Sequence, residues 1–314
     1  MNQEKITKVF MTGCIRSGTT FLANYLNGVD KCVFLRDSFM AIFRASSGIK
    51  SFTEVLPIRT RNILLFNLKS EMVAKNVDKL NELTISQFST PEELFNLAME
   101  LLIETDTKVF GVKITEEGSW FETLLVETDM KLIYLVRDLR DVLLSSANAF
   151  NTYNRSFFSQ RWFRGITGVL RITDPRVLIV RFEDLILAPE KELERLSDFI
   201  GIKIDGNISE LKDVSGTEWV GNSSFHDVKR LFDPVTVYRW KKNLSSREVE
   251  YGSIVYKKLM KELGYEENKL SLFKGLKIRI ILFKEYSAKI IRGLFFFRLV
   301  RKLTRALKNG FSTN

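Results

Sequence analysis

Cysteine and histidine are scarce in this 314-residue sequence, which holds two of the first and one of the second. Cys14 and Cys32 cannot build a disulfide framework or a cysteine-based zinc site, and their scarcity fits a reducing compartment. His226 is the one histidine, so mechanisms that need a histidine cluster are excluded. A Ser-His-Asp triad would have to run through that single residue.

Long apolar runs are missing as well. No stretch reaches about 18 uncharged apolar residues, so the sequence predicts no membrane-spanning helix. The apolar run before Gly13 is short, and we do not expect the first 30 residues to be a signal peptide. Hydrophobic residues nevertheless make up 45% of the chain, with 25 phenylalanines, which predicts a sizeable folded core. The length leaves room for one large α/β domain and an appendage.

Positive charge is concentrated at the C-terminus. Residues 269–314 contain 12 Lys and Arg residues and one acid, Glu285, which gives this segment a net charge of +11. The net charge of the whole chain is +10, so the rest of the chain is almost neutral. We therefore predict a catalytic domain over residues 1–267 and a basic tail over residues 268–314.

The residues from Lys8 to Leu22 read K-V-F-M-T-G-C-I-R-S-G-T-T-F-L. A short apolar run enters a turn bounded by two glycines, and an apolar helical pattern follows, which predicts a strand, a glycine loop and a helix. Such a loop directs consecutive backbone N–H groups to one point at the helix N-terminus and so favours an anion. The predicted anion-binding residues are Gly13, Cys14, Arg16, Ser17, Gly18, Thr19 and Thr20. The alternative is an ordinary strand-turn-helix junction that happens to hold an arginine.

The glycine spacing of this loop is that of a nucleotide P-loop, with one difference. The NTPase motif has Lys after its second glycine, whereas Thr19 stands there and the cation is Arg16, inside the loop. Without that Lys the usual grip on the β- and γ-phosphates of ATP or GTP is missing. A kinase or NTPase is therefore less favoured, although it remains an alternative.

A second motif begins at a continuous apolar run, residues 132–136, which is typical of a strand covered on both faces. The run ends in R-D-L-R-D, starting at Arg137, and the following helical pattern carries Ser145. This offset allows a strand-end guanidinium and a helix hydroxyl to bind one phosphate. A salt-bridged turn between strand and helix is the alternative.

Together the two motifs resemble the 5′-phosphosulfate loop and the 3′-phosphate motif of sulfotransferases that use 3′-phosphoadenosine 5′-phosphosulfate (PAPS). Ile15 and Leu139 stand where proline is usual in that family. Later segments, N-S-S-F, R-W-K-x-x-L and L-G-Y, resemble glycan and tyrosyl-protein sulfotransferases. The R-K-G triplet of the cytosolic small-molecule branch is absent, and Asp233 and Pro234 occupy that neighbourhood, which puts residues 229–241 in doubt as cofactor ligands.

The resemblance covers most of residues 5–265 and implies a fold, a donor and a reaction. The implied fold is α/β, a three-layer P-loop NTPase-like fold with a central parallel sheet and helices on both faces, followed by a basic amphipathic helical tail. The donor would be PAPS, the product adenosine 3′,5′-bisphosphate (PAP), and no metal would be required. The reaction would be sulfuryl transfer to a hydroxyl or amine of an acceptor, with a glycan or glycolipid expected.

The same resemblance suggests catalytic residues. Arg16 would stabilise the charge that builds on the leaving 5′-phosphate, Lys113 would be a second cation, and Ser224 would donate to the sulfonyl oxygens. For Lys113 the alternative is an ordinary surface lysine at a strand end. The 3′-phosphate would lie on Arg137 and Ser145.

Asp37, which follows the second predicted strand, is the candidate base that accepts the acceptor proton. It stands where related enzymes place a catalytic carboxylate, although Glu is commoner there. The other candidate bases are Glu116, Glu117 and His226. The alternative role for Asp37 is a structural ion pair with Arg36 or Arg44.

The tail alternates apolar pairs with cations from residue 272 onward, which on a helix predicts an apolar face beside a basic face. Such a helix suits an anionic membrane surface, and we assign this contact to residues 270–308. Packing on the catalytic domain is an alternative, and nucleic-acid binding is the least favoured and not expected. We expect a cytoplasmic enzyme, peripheral at the membrane face. A non-catalytic, membrane-attached nucleotide-binding protein remains a further alternative.

Overall fold

The computed structural model describes residues 5–40, 42, 51–71, 82–115, 120–151, 153–204, 211, 212, 216, 218 and 231–266. These residues belong to two compact units, one up to Leu244 and one from Ser245 onward. The sheet and every described candidate site residue lie in the first unit. The predicted tail, residues 268–314, lies outside the described residues, so the boundary proposed there stays a prediction.

A five-stranded parallel sheet forms the centre of the first unit, which confirms the predicted fold class. Its strands are β1 (Thr7–Gly13), β2 (Cys32–Leu35), β3 (Val109–Lys113), β4 (Lys131–Val136) and β5 (Val177–Arg181). Their order is β2-β3-β1-β4-β5, and each neighbouring pair is parallel. The register pairs Met11 with Lys113 and Gly13 with Leu135, so the carboxyl ends of the central strands meet at one edge.

Helices cover both faces of the sheet. Successive side chains of a strand point to opposite faces, so each strand packs against a helical layer on either side. On one face Val9 of β1 belongs to the same buried cluster as Leu22 of helix α1 (Thr19–Asn27). On the other face the ring of Tyr134 in β4 meets that of Phe121, the first residue of the helix Phe121–Glu127, with ring centroids 5.7 Å apart. The order is therefore helix, sheet, helix, as the three-layer prediction required.

The remaining described α-helices of the first unit follow in chain order. They are α2 (Ile58–Glu71), α3 (Pro91–Leu102), α4 (Phe121–Glu127), α5 (Leu139–Ala149), α6 (Arg155–Val169), α7 (Phe182–Leu187), α8 (Pro189–Ile200) and α9 (Trp240–Asn243). Short 3₁₀ helices cover Asp37–Phe39, Ile85–Gln87 and Pro234–Thr236. Helix α3 begins with a capping box, in which the Thr90 hydroxyl accepts the N–H of Glu93 at 3.1 Å. None of the described helices is long and apolar enough to cross a membrane.

The chain passes directly from β5 into helix α7 without an intervening turn. Glu183 and Asp184 lie in the first turn of this helix. Acidic side chains there interact favourably with the positive end of the helix dipole, which explains the early start.

The second unit begins with a helix cap, in which the N–H of Glu248 donates to the Ser245 hydroxyl at 3.4 Å. Two helices follow, α10 (Ser246–Val255) and α11 (Lys257–Glu262). The break falls at Tyr256 and directly follows two β-branched residues, which have low helix propensity.

Candidate active site

The candidate site lies at the point where the strand order of the sheet reverses. After β1 the chain moves to β2 at one edge, whereas β4 and β5 lie on the other side of β1. Ligands of open parallel sheets bind outside the carboxyl ends of the strands at such a point. Residues 14–18 follow β1 there, and Arg137 follows β4. The two motifs singled out in the sequence therefore flank one crevice.

The loop of residues 14–18 turns tightly before α1. Ser17 donates to the carbonyl of Cys14 twice, from its N–H at 3.0 Å and from its hydroxyl at 2.5 Å. Arg16 and Gly18 have left-handed backbones, with φ of 71° and 96°. In the described part of the chain no side chain caps the start of α1 at Gly18. The first N–H groups of the helix therefore stay available to an anion.

Both glycines that bound the loop are required by close contacts. A Cβ atom on Gly13 would lie 2.4 Å from the carbonyl oxygen of Leu135 in the neighbouring strand. A Cβ atom on Gly18 would lie 2.3 Å from the ring of Phe182, and the left-handed backbone there already favours glycine. The loop is thus fitted between β4 and the start of α7.

Two guanidinium groups and one hydroxyl meet beside this loop. Arg16 Nε donates to Ser145 Oγ at 3.0 Å, and Arg137 Nη1 donates to the carbonyl oxygen of Arg16 at 3.1 Å. The Phe182 ring covers the Arg137 guanidinium, with 4.6 Å between Cζ and the ring centroid. Burial and the nearby charge of Arg137 lower the pKa of Arg16. Two arginines held together in this way suit a ligand that carries more than one negative charge.

The predicted phosphate residues are thus brought together, with one difference. Ser145 was predicted to share a ligand with Arg137, and its hydroxyl also accepts a hydrogen bond from Arg16, which was not predicted. Arg137 reaches across to the C-terminal part of the unit, where its Nη2 donates to the carbonyl oxygen of Thr236 at 2.6 Å. Residues 229–241 were discounted as ligands, yet the main chain at Thr236 lies beside Arg137.

The other charged residues of the R-D-L-R-D motif hold the structure around the site. Asp138 and Arg140 form a fully buried ion pair at 2.7 Å, and Asp138 also caps α5. The Arg140 guanidinium lies 3.7 Å from the ring centroid of Trp240. The alternative explanation of this motif, a salt-bridged strand-helix turn, is therefore correct for Asp138 and Arg140.

Asp141, the last residue of the motif, fixes the segment that carries Thr236. Its two carboxylate oxygens accept the N–H groups of Tyr238 at 2.7 Å and Trp240 at 2.9 Å. Burial raises the pKa of Asp141, whereas the charge of Arg137 and the two backbone donors lower it. This link could not be predicted from the sequence, because a hydrogen bond from the main chain does not depend on the side chains of Tyr238 and Trp240.

Glu183 stabilises the chain at the end of β4. Its carboxyl is completely buried, and Oε1 accepts the N–H of Asp138 at 2.9 Å. Burial is the main reason that the pKa of Glu183 rises from 4.5 to about 7. These contacts give Glu183 a structural role at the end of β4.

Asp37 and Lys113 meet at the same edge of the sheet. Lys113 ends β3 and is 1% exposed, and its Nζ donates to both carboxylate oxygens of Asp37 at 2.9 Å. Asp37 follows β2 and is 48% exposed, so its carboxylate stays accessible from solvent. Arg36, named as an alternative partner for Asp37, contacts Glu71 with 3.6 Å between Nε and Oε1. The sequence did not predict a pairing of Asp37 with Lys113, and in the structure the buried lysine is the partner of this carboxylate.

Several predicted residues lie outside the described residues. They are Ser224, the rival bases Glu116, Glu117 and His226, the alternative partner Arg44, and the membrane segment 270–308. Their roles remain predictions. In the part of the chain that the structure describes, no group of three His, Cys, Asp or Glu residues could hold a metal ion.

Comparison with known proteins gives one family and one fold. Residues 8–206 match the model of the sulfotransferase family. The sulfotransferase domain from the Synechococcus PCC 7002 olefin synthase is 17% identical, with 85% of this chain and 98% of that domain covered and a TM-score of 0.60. The sulfotransferase domain from the curacin biosynthetic pathway is 18% identical, with coverages of 84% and 100% and a TM-score of 0.57. A search of curated proteins gives no match.

The raised pKa of Glu183 predicts a pH-dependent loss of stability. Between about pH 4.5 and pH 7 the folded chain keeps a proton on Glu183 that the unfolded chain releases, so the unfolding free energy falls as the pH rises. Glu183→Gln cannot ionise but keeps an acceptor for the Asp138 N–H. In urea unfolding we expect the unfolding free energy of the wild type to fall by roughly 2–3 kcal/mol relative to that of Glu183→Gln between about pH 5 and pH 8.

The exposed Glu190, changed to Gln, controls for the loss of one negative charge. Parallel stability curves for wild type and Glu183→Gln across this pH range would contradict the prediction.

Proposed function

The chain belongs to the sulfotransferase family, and from this premise we propose that it moves a sulfuryl group from PAPS to a hydroxyl or amine of an acceptor. The observation that carries the proposal is the meeting of two anion-binding motifs in one crevice, through Arg16, Arg137 and Ser145. A nucleotide with phosphate groups at both its 5′ and 3′ ends matches such a pair. The family supports PAPS as the donor.

The loop and α1 act on the leaving group. As the donor gives up its sulfuryl group, negative charge builds on the 5′-phosphate. The open N–H groups at the start of α1, the helix dipole and Arg16 stabilise that charge. Arg137 and Ser145 bind the 3′-phosphate.

Asp37 takes the proton of the acceptor. The acceptor oxygen forms a new bond to sulfur while its proton passes to the Asp37 carboxylate, and the bond from sulfur to the 5′-phosphate oxygen breaks to release PAP. Lys113 holds both oxygens of Asp37 and orients the carboxylate. It also supplies the second positive charge near the reacting group, and Ser224 donates to the sulfonyl oxygens.

Removing the carboxylate tests this assignment. We expect Asp37→Asn to bind PAP as tightly as the wild type while its turnover of PAPS falls by about 10²–10⁴-fold, because a general base contributes about that much. Turnover is measured as PAP release with an extract of membrane lipids and saccharides as acceptor source, and binding by calorimetry. Full activity of Asp37→Asn would remove this residue from the mechanism.

We further propose that the acceptor is a glycan or glycolipid and that the tail brings the enzyme to an anionic membrane surface at the cytoplasmic face. The support is the N-S-S-F, R-W-K-x-x-L and L-G-Y segments, the charge of +11 after residue 268, and two cysteines that are free and buried. An apolar face beside a basic face adds hydrophobic and electrostatic contributions to membrane binding.

Flotation with liposomes tests the membrane proposal. We expect the full chain to float with anionic liposomes, to float less with neutral ones, and to lose flotation when it is truncated after Asn268. High salt should weaken the interaction, because it screens the lysines and arginines. Equal flotation of the full and truncated chains would refute the role of residues 270–308.

A further inference from the structure

A buried carboxylate on helix α2 holds the chain on both sides of Asp37. Glu71 Oε1 accepts the backbone N–H of Arg36, and Glu71 Oε2 accepts the hydroxyl of Ser38. The Arg36 side chain adds an ion pair, with 3.6 Å between its Nε and Glu71 Oε1. One side chain therefore binds the residue before Asp37 and the residue after it.

The exposure of the two carboxylates differs sharply. The side chain of Glu71 is 8% exposed, whereas that of Asp37 is 48% exposed. Burial raises the pKa of Glu71, and the hydrogen bonds from Ser38 and Arg36 oppose this effect. A carboxylate is costly to bury unless its oxygens are well paired, so these contacts hold the Arg36–Ser38 turn firmly to α2.

We propose that Glu71 is a positioning residue for Asp37, since it binds the main chain of Arg36 before it and the side chain of Ser38 after it, while Lys113 fixes the carboxylate. The catalytic consequence rests on the proposed function, in which Asp37 is the base. A reactive carboxylate must be placed closely, since a displacement of about 1 Å can cost roughly 10²-fold in rate. Glu71 acts through Asp37 and does not touch the reacting atoms.

The chain offers a matched control in α4. Glu127 makes the same kind of contacts at another place, since it accepts the backbone N–H of Phe52 at 2.9 Å and the hydroxyl of Ser51 at 2.7 Å. Glu127→Ala removes a carboxylate that binds an N–H and a serine hydroxyl but leaves the Arg36–Ser38 turn intact. It therefore reports the general cost of losing such a contact.

The first measurement needs no acceptor. Lys113 is buried while it holds Asp37, so limited acetylation of the full-length chain with acetic anhydride, read by mass spectrometry, should label it slowly. We expect the labelling rate of Lys113 to rise several-fold in Glu71→Ala and in Asp37→Asn, and to stay at the wild-type level in Glu127→Ala. An unchanged rate in Glu71→Ala, with a raised rate in Asp37→Asn, would overturn the proposal.

The second measurement is turnover. We expect Glu71→Ala to lower PAPS turnover by ~10–100-fold, with the KM for PAPS and the affinity for PAP close to wild type. Glu71→Gln, which keeps one acceptor oxygen, should recover part of the loss. In an Asp37→Asn background the Glu71→Ala change should not lower turnover further, because the carboxylate that Glu71 positions is already absent. If the loss of turnover in the double variant equals the product of the two single losses, Glu71 acts independently of Asp37 and the proposal is refuted.

The two measurements separate the two hypotheses. If Glu71→Ala exposes Lys113 but Asp37→Asn keeps full turnover, Glu71 positions Asp37 and the assignment of Asp37 as base is wrong. If Asp37→Asn abolishes turnover but Glu71→Ala changes neither labelling nor turnover, the base stands and the positioning role is wrong.

Discussion

The positive charges of Arg16 and Arg137 share one partly buried crevice, and this repulsion is the constraint on which the site depends. Burial and the nearby charge of Arg137 both lower the pKa of Arg16, and an anion bound between the two arginines would oppose this effect. The fold maintains the arrangement by holding Arg137 through the carbonyls of Arg16 and Thr236 and covering it with the Phe182 ring. Besides these main-chain oxygens and the aromatic face, Arg137 has the Asp141 carboxylate 3.9 Å from its Nη2, so its charge is partly compensated before a ligand binds.

The R-D-L-R-D motif has two functions that follow from one strand end. Arg137 is directed toward the glycine loop, while Asp141 binds the N–H groups of Tyr238 and Trp240 and Arg140 packs on the Trp240 ring. The segment near the C-terminal end of the first unit is thereby fixed beside the nucleotide crevice. A change in this motif is therefore expected to affect both the ligand contact and the segment that encloses it.

Much of this site could be predicted from the sequence, because strands and glycine loops have local signatures. Continuous apolar runs located the strands and placed Asp37 and Lys113 at strand ends, although their contact with each other was not predicted. The roles of Glu71 and Asp141 could not be predicted in the same way. Glu71 binds the backbone N–H of Arg36. Asp141 binds the backbone N–H groups of Tyr238 and Trp240, which lie 97 and 99 positions further along the chain. Almost any residue type provides a backbone N–H, so the sequence does not indicate such contacts.

The central claim is that one crevice binds both phosphate ends of the donor nucleotide, and calorimetry with three nucleotides tests it most directly. PAP should bind the wild type roughly 10–100-fold more tightly than adenosine 5′-monophosphate, because charge-assisted hydrogen bonds to the 3′-phosphate contribute about 1.5–3 kcal/mol. That advantage should shrink in Arg137→Ala and in Ser145→Ala, and ATP with Mg²⁺ should bind more weakly than PAP. Equal affinity for PAP and adenosine 5′-monophosphate, or a preference for ATP with Mg²⁺, would contradict the account.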